Sequence, residues 1–188
     1  MKHHEILIGG FGGQGILFLG RVIATAGMLE GYEVSWFPSY GPEMRGGTAN
    51  CTVIISEEQI GATVVDHPTA CIAMNTPSFL RFTPSVRQEG LVVMNSSLVT
   101  EDTVPQGVRL LKVPANDLAW KEVGIPETMN MVILGALLAY SPILEFEHAK
   151  KALQLILEEK KKTILDANVK ALEAGALFVQ KGGKERVS

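Results

Sequence analysis

A cluster of glycines set between an apolar run and a helical run constrains this chain more than any other feature. Glu5-Ile6-Leu7-Ile8 reads as a buried strand and meets Gly9-Gly10-Phe11-Gly12-Gly13-Gln14-Gly15. Ile16 to about Leu29 follows with helical spacing, and Gly31 stops it. Glu33 to Phe37 is the next strand, closed by Pro38. Strand, glycine turn, helix and strand in that order open a βαβ unit, so parallel strands and a right-handed crossover are expected.

The rest of the chain continues the alternation. Thr48 to Ser56 is rich in β-branched residues, and Ala70–Met74, Leu91–Met94 and Arg109–Val113 are short strands. A helix interrupted by Pro84 is expected over Ser78–Glu89, and a short one capped by Asn116 ends near Gly124. Pro126 begins a helix that passes through Asn130 to about Tyr140. From Leu144 onward the spacing is helical, with a break near Lys160–Lys162. The fold class is therefore α/β: one domain over residues 1–180, a mostly parallel Rossmann-like sheet flanked by helices, C-terminal helices, and a loose polar tail over 181–188.

Composition narrows the function. The 188 residues are 46% hydrophobic with a net charge of −3, so a single core is well supplied and no basic stripe awaits nucleic acid. No apolar run reaches the roughly 20 residues that span a bilayer, and the N-terminus lacks a signal-peptide pattern. Cys51 and Cys71 lie in apolar runs without metal-ligand spacing, as buried free thiols of a reducing compartment would. A cytoplasmic protein that binds neither membrane nor nucleic acid is expected.

Gly10, Gly12 and Gly15 satisfy G-x-G-x-x-G between strand and helix. Glycines there admit positive φ and let backbone N–H groups close on an anion at a helix mouth. A nicotinamide site also needs an acidic residue at the end of the second strand to hold the ribose. Here that strand ends Ser35-Trp36-Phe37-Pro38, without a carboxylate, and no Gly-Lys-Ser/Thr closes a nucleotide loop. A tight packing turn and a phosphate or acyl-carrier cradle both remain. The first helix is apolar almost all round, which suggests that another chain covers one face, with Leu19 on it.

The second unusual stretch is Ser39-Tyr40-Gly41-Pro42-Glu43-Met44-Arg45-Gly46-Gly47, a loop after a strand and so at the ligand edge of an open sheet. Together with Gly10–Gly15 and the later Asn130-Met131-Val132-Ile133-Leu134-Gly135-Ala136, it resembles the γ subunit family of 2-oxoacid:ferredoxin oxidoreductases. The likeness runs from about Glu5 to Gly175.

That resemblance implies a non-catalytic subunit of a complex that decarboxylates a 2-oxoacid, reduces ferredoxin and releases acyl-coenzyme A. Thiamine diphosphate, magnesium and iron–sulfur clusters would belong to α, β and δ partners, and this chain would have no activity alone. Gly12, Gly13, Gln14, Gly15, Tyr40, Glu43, Arg45 and Asn130 would form a coenzyme A contact, with catalytic and metal residues elsewhere. 2-Oxoglutarate is the first substrate expected, before pyruvate or a branched-chain oxoacid, and the isolated chain would form a homodimer. The rivals are a stand-alone nucleotide- or coenzyme A-binding Rossmann-like oxidoreductase domain and a purely structural adaptor. A buried Asn130 amide must find a partner, and a carbonyl of the Tyr40–Arg45 loop is the one expected. His67 and His148 have no orienting partner nearby in sequence. Met28, Met74, Met94, Met129 and Met131 read as core residues. Trp36 reads as packing, with an exposed anchor for a partner or nucleotide base as the alternative.

Overall fold

The structure is a computed structural model and describes residues 2–39, 48–158, 160–183 and 185–187. β1 (His3–Phe11) leads through the glycine turn into α1 (Ile16–Leu29), β2 (Glu33–Ser39), β3 (Thr48–Ser56) and β4 (Ala70–Ala73). α2 (Thr76–Phe82) and a 3₁₀ turn precede β5 (Leu91–Asn95) and β6 (Arg109–Val113). α3 (Ala115–Leu118) runs on as a π turn, Ala119–Val123, before α4 (Met129–Tyr140), α5 (Phe146–Ile156), α6 (Lys162–Gln180) and β7 (Glu185–Val187).

The strands form one sheet in the order β2-β3-β1-β4-β5-β6-β7. β1, β4, β5 and β6 are parallel neighbours. β3 runs against β1 and β2, so β2 points with the parallel set, and β7 runs against β6. The sheet is mostly parallel, as expected, but β1 and β2 are not adjacent because β3 lies between them.

Several expected boundaries move. The helix expected over Ser78–Glu89 is α2 at Thr76–Phe82 with a 3₁₀ turn at Thr83–Ser85, and Pro126 opens a 3₁₀ turn before α4. β2 continues through Pro38 to Ser39, since an edge strand tolerates a residue with no N–H to donate. Asn116 lies inside α3 rather than capping it; the Asn95 side chain accepts from the Ala115 N–H instead. The tail is not loose throughout, because Glu185–Val187 pairs with Arg109–Leu111 and covers part of an otherwise open edge.

Helices α1, α4, α5 and α6 cover one face of the sheet, and α2 with its 3₁₀ turn covers part of the other. α4 is apolar all round, and residues Met129–Leu138 are all buried between the sheet and α6. It crosses α6 glycine to glycine. A Cβ on Gly135 would run into the Leu172 carbonyl oxygen, and one on Gly175 into that of Val132, both far inside any real contact. α1 ends as read: Gly31 at φ +83° donates to the Met28 carbonyl and Tyr32 to that of Gly27.

The apolar surround of α1 needs no second chain at Leu19. That side chain is 0% exposed within the domain's own core, under the sheet, α4 and α5. The outer stripe of α1 carries Arg21, Thr25 and Met28. Met28 is 67% exposed, so it is not the core residue expected; it stands on the face of α1 that no other described residue covers fully. Met74, Met94, Met129 and Met131 are buried as expected.

Candidate functional site

The glycine turn is braced from three sides. Gln14 folds inward and is buried. Its Oε1 accepts from the Phe11 N–H (2.6 Å) and from Asn75 Nδ2 (3.2 Å), and its Nε2 donates to the Met74 carbonyl (3.1 Å). Asn75 in turn caps α2 by accepting from the Ser78 N–H at 2.9 Å. Gln14 thus ties the end of β1 to the end of β4 and faces inward rather than toward a ligand.

Asn130 fixes the last glycine. Gly15 is the N-cap of α1 at φ 70°, ψ 28°. Asn130 Nδ2 donates to the Gly15 carbonyl at 3.2 Å, while its Oδ1 accepts from the Met131 N–H at 2.9 Å. A Cβ on residue 15 would meet Asn130 Nδ2 at a distance shorter than any real contact, so the clamp and the left-handed φ both demand glycine. The partner of Asn130 is therefore the glycine turn and not the Tyr40–Arg45 loop.

Gly12 and Gly13 face solvent. A cavity of about 430 Å³ opens beside them, lined by Gly13, Gly15, Phe18, Thr128, Asn130 and Ile164 among others. Its one charged lining side chain among the described residues is Glu127, which would repel a phosphate. These residues suit an uncharged or apolar part of a ligand. A phosphate there needs a cation from elsewhere.

Tyr40, Glu43 and Arg45 lie outside the described residues. Their flanks are placed: Thr48 pairs with Phe11 and Ser39 with Asn50, so the loop leaves and re-enters the sheet at the edge that carries the glycine turn. β1 is flanked on that side by β3, which puts the end of β2 one strand further off than a ribose-binding carboxylate would need.

The discounted residues stay apart from this site. His67 Nδ1 lies 3.3 Å from the Ser85 carbonyl. His148, against expectation, does have a partner nearby in sequence, standing 3.3 Å from the Glu145 carboxylate three residues before it and 3.4 Å from that of Glu30. Trp36 packs beside Cys51 under Gly20, where a Cβ would meet both side chains, and is 37% exposed. Burial pushes both the Cys51 and Cys71 thiols up to about 12, so neither is a nucleophile at neutral pH. Among the described residues no group of three or more His, Cys, Asp or Glu side chains is gathered to hold a metal, and no helix is long and apolar enough to cross a membrane.

Asn75 and Asn95 were not anticipated. Asn95 ends β5, donates to Asn116 at 2.7 Å and accepts from Ala115 at 3.2 Å. Both residues, like Asn130, follow a methionine where an apolar run begins or ends, and that repeated Met-Asn pair is the signal the sequence offers.

Comparison with known proteins gives a consistent relation. The family model described as pyruvate ferredoxin/flavodoxin oxidoreductase matches residues 5–178. A ketoisovalerate oxidoreductase subunit VorA of Methanothermobacter marburgensis is 39% identical over 94% of this chain, which spans only 37% of that relative's length. A 2-oxoglutarate synthase subunit KorC of Methanocaldococcus jannaschii is 32% identical over 91% of each chain. Among solved structures, a keto/oxoacid ferredoxin oxidoreductase γ subunit from Geobacter sulfurreducens superposes with a TM-score of 0.83, at 27% identity over 98% of this chain and 100% of that one. A 2-oxoglutarate:ferredoxin oxidoreductase from Magnetococcus marinus matches 100% of this chain with 33% of its own, at a TM-score of 0.84 and 27% identity. The chain belongs to the pyruvate ferredoxin/flavodoxin oxidoreductase family, as the γ-type domain that its glycine turn and second loop resemble.

Proposed function

We propose that the chain serves as the γ component of a 2-oxoacid:ferredoxin oxidoreductase, docked on partners that carry thiamine diphosphate, magnesium and iron–sulfur clusters. The complex converts a 2-oxoacid and coenzyme A to acyl-coenzyme A and passes the electrons to ferredoxin in the cytoplasm. The observation that supports this reading is that Thr48, the residue after the second loop, pairs with Phe11 at the end of β1, where the glycine turn begins. Coenzyme A approaches that edge, with its uncharged arm against the cavity beside Gly13 and Asn130 and its phosphates on the Gly12–Gly15 backbone and Arg45. Glu43 fixes the arginine, Tyr40 joins the same contact, and Gln14 acts through the turn rather than by touching the ligand.

The test is reconstitution with the α and β partners and viologen reduction with a panel of oxoacids. 2-Oxoglutarate comes first, with 2-ketoisovalerate beside it because the 39% identical relative is named for that substrate. Turnover by this chain alone would sink the assignment of catalysis to the partners. Arginine grips a phosphate in a fixed fork that lysine cannot reproduce, so Arg45→Lys should raise the coenzyme A KM about tenfold and leave the oxoacid KM alone. An unchanged KM in an intact complex removes Arg45 from the binding site.

A further inference from the structure

A second cleft, of about 620 Å³, opens beyond the ends of β5 and β6, between Ser96, Pro114, the π turn and the end of α6. It shares the carboxyl edge of the parallel strands with the glycine turn but shares no lining residue with the cavity there. Three features set it apart from an ordinary surface groove.

Its charge is opposite to that of the molecule. The whole chain carries −3, yet among the described residues Lys112, Lys121 and Lys181 line this cleft with one carboxylate, Glu122. Glu122 lies 3.9 Å from Lys121 Nζ, and the lining holds no second carboxylate for Lys181. Lys112 is held in place by Asp102 at 2.7 Å, on the part of β6 beyond the residues that β7 covers.

Its walls are built. α6 closes with Gly182 at φ +86° donating to the Val179 carbonyl and Gly183 donating to that of Phe178, both at 3.0 Å. Those bonds satisfy two of the last carbonyls of the helix and fix its end. A Cβ on Gly183 would lie 2.5 Å from the Phe178 ring, so the backbone itself presses that ring into the wall.

The opposite wall is a π turn. Gly124 donates to the carbonyls of both Ala119 and Trp120 at 3.0 Å, and the turn brings Lys121 and Glu122 to the rim. π turns are rare and concentrate at functional sites. Trp120, on the same turn, is 67% exposed.

We propose that this cleft binds a small amphipathic anion, with a phosphate or carboxylate head on the lysines and a flat or aliphatic body against Leu118, Leu177 and Phe178. Largely apolar walls with a few convergent charges are the usual make-up of a small-molecule pocket. The inference does not rest on the coenzyme A reading. The shared chemistry has two sources, a nucleotide phosphate or an acyl carboxylate.

Titrating the full chain calorimetrically with ADP and, separately, with decanoate tests it. One of the two should saturate at one site per chain, and the probe that does so names the source. Lys121→Glu with Lys181→Glu should weaken that binding about tenfold or more, the factor that 1.4 kcal/mol carries, and Trp120 fluorescence should shift with the same midpoint. Lys151→Glu with Lys170→Glu changes the net charge equally at exposed positions outside the cleft and should leave the affinity alone. Failure of both probes to saturate, or equal weakening by both charge-reversal pairs, overturns the proposal. So does binding of a hexaglutamate peptide with neither small probe, which would make the cleft a face for an acidic protein segment.

Discussion

Gly15 and Asn130 define each other. The carboxamide reaches the Gly15 carbonyl only because residue 15 has no side chain, and the turn keeps its shape because that carbonyl is held. Asn130→Ala should cost about 1–3 kcal/mol, the usual cost of breaking a buried hydrogen bond. Gly15→Ala alone adds a clash to the roughly 1–2 kcal/mol of left-handed backbone strain. In the Asn130→Ala background only the strain should remain, so urea denaturation of the double variant must fall short of the sum of the singles. Additive costs would show that the two residues do not touch. His4 gives a second residue-scale expectation. Burial, with help from Lys2, Arg87 and His3, lowers its pKa below 6.5. The unfolded chain then takes up the proton first as pH falls, so His4 adds stability above its unfolded pKa, and that stability is lost as pH drops through the folded value. His4→Gln should flatten the fall in Tm between about pH 7 and pH 5, the range in which an unperturbed histidine titrates.

The crossing of α4 and α6 is the tightest relation between elements. Backbone meets backbone at Gly135 and Gly175, so no rotamer change can make room for a side chain there. Gly135→Val should destabilise by about 3 kcal/mol or more, because overpacking against a carbonyl can be relieved only by parting the helices. Guanidinium unfolding measures it, and a loss under about 1 kcal/mol would mean that the helices part easily. α1 supplies a contrast within one helix. Leu19→Asp buries an unpaired charge and should leave the chain unfolded by circular dichroism, whereas Met28→Asp on the exposed stripe should fold normally. A folded Leu19→Asp variant would restore the expectation that another chain covers that face.

Across the whole molecule, the two cysteines report on the fold from opposite faces of the sheet. Cys51 lies in the core under α1 and Cys71 in that under α2, and both thiols are pushed up to about 12. Neither should react with a thiol reagent at pH 8 until the domain opens, and both should react at once in denaturant. Fast labelling of one in the native state would mean that its helical layer opens independently of the other.

Much of this was legible in the chain. The alternation of short apolar runs with helical spacing determined the α/β class, because period and run length follow from which faces must be buried. The glycine cluster, the Gly31 stop and the α5–α6 break are local backbone preferences, and they stood where they were read. The likeness of the two loops to one family was likewise carried by residues in sequence. What only the tertiary structure decided depends on pairings between distant segments. Nothing in β3 itself says that it inserts between β1 and β2, because a strand's propensity is blind to its neighbours. The inward turn of Gln14 needs the end of β4, and the target of Asn130 lies 115 residues away. Leu19 and Met28 are alike in hydrophobicity, and only the packing of the sheet, α4 and α5 around α1 buries one and leaves the other in water.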